Sequence, residues 1–287
     1  MQKAFTLIEP DNLITPVVVA SPHSGRHYPD DLLRASVLDS HALRASEDAF
    51  VDQLIADVPR MGAPLLLAQY PRAYVDLNRN IDELDPAVIA DLPRRRFGPR
   101  VAGGLGVIPR VVAAGRPIYS GKLSLPEATS RLTHIWHPYH NTLTNLLARA
   151  QAQFGQAVLI DMHSMPRASL GDLAGQDQNR PHIVLGNRFG RAASDAITDI
   201  ASKALADAGL RVALNTPFAG AFIAERYGQP ARGTHVLQLE IDRSLYMDEA
   251  TLTPLPGFDD LKSRLTQAVG QMISAIGQSG RQPTAAQ

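Results

Sequence analysis

Residues 157–164 read Ala-Val-Leu-Ile-Asp-Met-His-Ser: an apolar run of strand length that runs into Asp161, His163 and Ser164. The run has neither a helical nor an alternating period, which fits a strand buried on both faces. The same grammar recurs upstream, where PVVVA at 16–20 runs into Ser21-Pro-His23-Ser-Gly25. Buried strands ending in polar clusters point to an open α/β sheet, which binds ligands beyond the carboxyl ends of its strands. Working outward, strands are predicted over 63–69, 73–77, 182–185, 211–214 and 235–241. Helical spacing is predicted over 41–58, 125–154 (kinked at Pro138), 189–208 and 258–276. The alternation predicts an α/β protein, a three-layer α/β/α sandwich around a mixed, largely parallel sheet. No repeat or linker divides the chain, so residues 1–276 read as a single domain and 277–287 as a flexible tail.

At 287 residues the chain is long enough for a sizeable core, and 45% of it is hydrophobic. Lys+Arg and Asp+Glu both number 28, which argues against a general polyanion binder such as a nucleic-acid protein. No cysteine is present, so any metal must be held by His and carboxylates. The N-terminal MQKAFTLIEPDNLITP is broken by Glu9, Pro10 and Asp11 and does not read as a signal peptide. No apolar stretch approaches the ~20 residues of a membrane span. The expectation is a cytoplasmic protein with no membrane partner.

Five features could carry chemistry. His23 sits in a Pro/Gly-punctuated turn, where it can be aimed into a cleft or simply bonded to backbone. Asp161 is near enough to orient the His163 ring. Arg72 and Arg79 flank Asp76 and Asn78; they could grip an anion, or pair with Asp76, Asp82 or Glu83. Glu240 lies in a period-2 run and is either a general base or an edge charge paired with Arg243. Glu47-Asp48 opens a predicted helix with Ser46 as cap, where acids also favour the helix dipole. Taken together, two His and one of these acids have the ligand count of an open catalytic zinc site. A Glu to activate water and an Arg pair for a substrate carboxylate would complete an amide-hydrolysis site. The His134, His137, His140 run drifts around its helix and is a poor ligand set, although His140 could line the cleft.

The order and spacing of SPHSG at 21–25, SEDAFVDQL at 46–54, PRAYVDLNR at 71–79 and GLGVIPR at 104–110 resemble the N-formylglutamate amidohydrolase family. The resemblance continues through PYH at 138–140, LIDMHSMP at 159–166, IVLGNRFG at 183–190 and LQLEIDRSLYMDE at 237–249. It implies a zinc-carboxypeptidase-like fold and a metal-dependent amidase that converts N-formyl-L-glutamate to L-glutamate and formate in histidine degradation. It further implies His23, His163 and Asp48 as metal ligands, with Glu47 the reserve for Asp48, since the chain lacks the short H-x-x-E of carboxypeptidases. Glu240 would be the general base, Arg72 would polarise the formyl oxygen, and Asn78 and Arg79 would hold the α-carboxylate. The metal implied is one Zn²⁺, for which Mn²⁺, Co²⁺ or Fe²⁺ could substitute.

Three other readings stay open. A hydrolase of another N-acyl amino acid or small peptide would use the same chemistry, with the 94–116 loop setting the choice. A metal-free Ser hydrolase would need Ser24 or Ser164, yet no G-x-S-x-G elbow presents either. A non-catalytic binder of anionic acyl-amino-acid ligands would bind without turnover.

Overall fold

The computed structural model describes residues 2–92, 98–174 and 180–279. Its main sheet has seven strands: β1 Phe5–Ile8, β2 Val17–Ser21, β3 Leu65–Ala68, β4 Ala157–Met165, β5 Ile183–Gly186, β6 Val212–Leu214 and β7 Thr234–Asp242. They lie in the order β1-β3-β2-β4-β7-β5-β6. β2, β4 and β7 run parallel, β5 is antiparallel to β7, and β6 is parallel to β5. This is the expected mixed, mostly parallel sheet with helices on both sides.

The described residues group into two compact units. One takes the chain up to Thr6, Pro22–Ala49 and Leu67–Leu143; the other takes Leu7–Ser21, Phe50–Leu66 and the chain from Thr144 onward. In the second unit every residue of β2, β4 and β5 is buried, as their unbroken apolar runs require. The helices Asp195–Asp207 and Phe258–Ser279 pack on each other, and the latter also meets β2. In the first unit, Ser124 and Glu127 form a reciprocal capping box that starts the helix Leu125–Arg131.

Several local expectations change. Residues 73–77 form no strand: the Tyr74 and Val75 N–H groups return to the Pro71 carbonyl, and that of Asp76 goes to Val107. Apolar β-formers there are buried by a turn and a neighbouring loop rather than by a ladder. Residues 41–58 are not one helix but short pieces, Ser40–Leu43, Arg44–Ser46 and Val51–Leu54. Phe50 interrupts them at φ 65°, and Ser46 caps nothing. The long helix is broken by a wide π turn over Leu132–Trp136, in which the His137 N–H reaches back to the Leu132 carbonyl. That turn sits just ahead of Pro138, which has no N–H to donate. The helix expected from 189 starts at Asp195, because Arg188, Phe189 and Gly190 take left-handed conformations. The last helix continues to Ser279, and the rest of the expected tail lies outside the described residues.

Candidate metal centre

β2 delivers the chain into Ser21-Pro-His23-Ser-Gly25, and Gly25 fixes how this turn sits. A β-carbon on Gly25 would collide with the backbone of Gln69 and Tyr70, so only glycine permits the approach. The His27 N–H to Gln69 carbonyl bond, 2.9 Å, closes the same contact. Gly25→Ala should therefore lower stability by about 1–3 kcal/mol, read as a fall in the urea midpoint. An unchanged midpoint would mean that the turn is not locked.

His23 is 2% exposed, and its two ring nitrogens have different partners. Nε2 lies 2.7 Å from Asp76 Oδ1, and Nδ1 lies 3.5 Å from Asp48 Oδ2. Asp48 is placed by its own N–H, which donates to the His23 carbonyl at 3.0 Å. Asp76 also accepts from the Arg72 guanidinium at 2.7 Å and from the Asn78 N–H at 2.9 Å. Burial pushes the Asp76 carboxyl up, but Arg72, His23 and Arg79 outweigh it and hold the group well below the usual carboxylate range. Asp76 is thus an anion that accepts a hydrogen bond from His23 Nε2–H and leaves Nδ1 facing Asp48.

His163 is arranged by different means. β4 continues through Met165 because β7 pairs with it as far as Asp242, so Asp161 and His163 lie inside the strand rather than beyond it. Period 2 puts both on one face, and His163 Nε2 lies 3.0 Å from Asp161 Oδ2. In the parallel register Asp161 is partnered by Gln238 and His163 by Glu240. Gln238 donates to Glu240 Oε1 at 2.8 Å and accepts the Ala221 N–H at 3.0 Å. Ser164 accepts from Arg243 Nε at 3.0 Å, a bond that anchors an arginine and supplies no base for a serine nucleophile.

One ligand atom each from His23, Asp48 and His163 lie within 4.8 Å of one another, and all three residues are buried. The trio passes a chemical test for a divalent metal. Both imidazoles have Nε2 held by a carboxylate, the arrangement in which Nδ1 would be the ligand atom and in which outer partners make metal-bound His more basic. Glu47 does not compete for the place: Arg44 grips both its oxygens at 2.9 and 3.1 Å, and Tyr28 donates to it at 3.0 Å. Burial, reinforced by Glu47, pushes the Tyr28 hydroxyl up and keeps it a donor.

Among the described residues no second trio of this kind occurs, and two of the three helical His are otherwise engaged. His134 bonds the Ser130 carbonyl at 2.7 Å, while His140 bonds that of Leu77 at 2.9 Å and packs on Trp136. Arg79 is 8% exposed and donates to the carbonyls of Leu105 and Asn78 at 2.9 and 2.8 Å. In the sequence alone Asp76 reads only as a charge partner for arginine. Its place two residues before Asn78 was the available signal, since an Asp there can turn the chain by accepting its i+2 N–H.

Among the described residues no helix is long and apolar enough to cross a membrane. The sequence profile described as N-formylglutamate amidohydrolase matches residues 15–247. The chain is 30% identical over 266 residues to an N-formylglutamate deformylase of Pseudomonas putida, covering 91% of this chain and 92% of that one. It is also 30% identical to the Pseudomonas aeruginosa N-formylglutamate deformylase, covering 93% and 94%. Its fold matches the crystal structure of N-formylglutamate amidohydrolase from Ralstonia eutropha JMP134 with a TM-score of 0.89 and 34% identity, over 97% of this chain and 100% of that one.

Proposed function

Because this chain belongs to the N-formylglutamate amidohydrolase family, we propose that it hydrolyses N-formyl-L-glutamate to L-glutamate and formate, with a divalent metal held by His23, Asp48 and His163. The observation that carries the reading is the buried trio itself, two imidazoles each oriented by its own carboxylate beside one more carboxylate. Zinc is the first choice for such a donor set. When bound, it would lower the pKa of a water toward ~7 and draw electron density from the formyl carbonyl.

The chain's own groups account for the remaining chemistry. Glu240, with one oxygen fixed by Gln238, would accept the proton of the attacking water and pass it to the leaving amine as the C–N bond breaks. Arg72, oriented by Asp76, would donate to the formyl oxygen as negative charge grows there. Asn78 and Arg79 would hold the α-carboxylate. The setting in the cell would be the last step of a histidine-degradation route.

The test is formate release from N-formyl-L-glutamate by enzyme stripped with a chelator and then restored with zinc. Activity that disappears and returns supports the proposal. Chelator-insensitive turnover would overturn the metal, and absence of turnover in metal-replete enzyme would overturn the substrate, directing a screen to other N-acyl amino acids. Arg79→Ala should raise KM about ten- to a hundredfold, since a hydrogen bond to a charged group contributes ~1.5–3 kcal/mol. An equal rise for carboxyl-amidated analogues would remove Arg79 from the carboxylate role.

A further inference from the structure

The segment Asp76–Arg79 lies in the first unit and belongs to no strand, so its buried backbone groups must be met one by one. The Asp76 N–H goes to the Val107 carbonyl at 2.8 Å, and the Asn78 N–H turns back to the Asp76 carboxylate at 2.9 Å. The Asn78 carbonyl takes Arg79 Nη1 at 2.8 Å. The carbonyls on either side of it, those of Leu77 and Arg79, are met by two side chains from far along the chain. His140 Nε2–H donates to Leu77 at 2.9 Å, and Trp136 Nε1–H donates to Arg79 at 3.0 Å.

Trp136 and His140 are four residues apart, which puts them on one helical face. Their ring centroids lie 4.0 Å apart, and they are 4% and 2% exposed. Each ring turns about only two side-chain bonds, and each packs on the other, so the two donors are fixed in place. The π turn over Leu132–Trp136 carries one residue more than an α turn. It thereby resets, by about 100°, the face that the following helix presents relative to the helix Leu125–Arg131. The Arg79 side chain is held as firmly as its carbonyl: Nε donates to Leu105 and Nη1 to Asn78, with Nη2 in neither bond. The two bonds from the helix thus bracket Asn78 and close on Arg79, the pair assigned above to the substrate α-carboxylate.

We propose that Trp136 and His140 are positioning residues that set this carboxylate grip, and with it the preference for substrates with a free α-carboxylate; the inference rests on the reaction proposed above. The test is the kinetics of formate release from N-formyl-L-glutamate and from its α-carboxamide by metal-replete enzyme. Trp136→Phe removes the indole N–H and keeps a ring; it should raise KM for the acid about three- to tenfold and change kcat by less than about twofold. His140→Leu should do the same, whereas His140→Gln, which keeps an N–H at similar reach, should bring KM to within about twofold of wild type. None of these should shift KM for the α-carboxamide. A merely structural loss lowers the active fraction, and so falls on kcat for both substrates alike. In an Arg79→Ala background the grip is already gone, and Trp136→Phe should add nothing further, as expected of residues acting as one unit. Suppose Arg79→Ala raises KM but Trp136→Phe and His140→Leu do not, or their rises add to that of Arg79→Ala, or are equal for both substrates. Each of these results would overturn the positioning role and leave the reaction standing. No turnover by wild type, or an unchanged KM in Arg79→Ala, would overturn the carboxylate grip and this inference with it.

Discussion

Glu240→Gln should keep its metal and its fold while losing about 10²–10⁴-fold in kcat, the usual worth of a positioned general base. The substitution keeps the shape of the side chain and removes its ability to take a proton. Glu240 lies in the middle of β7, where its backbone is paired on both sides, with His163 in β4 and Val184 in β5. A new amide at 240 can still offer its oxygen to Gln238 Nε2, so the local bond survives. None of the three proposed ligands is changed. The measurements are metal content per chain, the thermal midpoint, and the rate of formate release at saturating substrate. A near-wild-type kcat would take Glu240 out of the base role, and a drop in metal content would move it toward the ligand set.

The second large effect belongs to His163→Ala. Metal stoichiometry after dialysis should fall well below one, and turnover should fall with it, because an open three-ligand site becomes a two-ligand one. The substitution also strips the Asp161 carboxylate of its bond from His163 at a position 0% exposed. That adds about 1–3 kcal/mol of destabilisation, visible as a lower midpoint even in metal-free enzyme. The metal-free comparison separates the two consequences: loss of stability without metal belongs to Asp161, and loss of metal-dependent stabilisation belongs to the site. A full complement of zinc in the variant would reject His163 as a ligand.

The sheet was legible because its central strands are buried on both faces and leave unbroken apolar runs, as in VVVA and AVLI. Strand ends were less legible. Nothing in Asp161-Met-His163-Ser164 announces that it stays in the ladder; that is decided by how far β7 runs beside it. Apolar content misled at 73–77, where Pro71 and a partner loop take the backbone donors that a strand would have used. It misled again at 41–58, where helical spacing was interrupted by one residue, Phe50, in a left-handed conformation that no local pattern reveals. Of the carboxylates that orient the two histidines, Asp161 could be read from its spacing to His163. Asp76 could not, since it meets His23 from 53 residues away, and such a contact exists only once the turn holding Gly25 is seated.

Gln238 carries a message about which sequences this fold can sample. Its amide has a sense of direction: the oxygen end is claimed by the Ala221 N–H, so the nitrogen end is the one turned to Glu240. A glutamate at 238 is one nucleotide away from glutamine and would keep the first bond without strain. It would also set two carboxylates at the distance now bridged by an N–H, and such a pair shares a proton rather than holding two charges. A drift that looks harmless by shape would thereby disarm the general base proposed at 240 without touching it. The identity of residue 238 is thus tied to one backbone group, the Ala221 N–H.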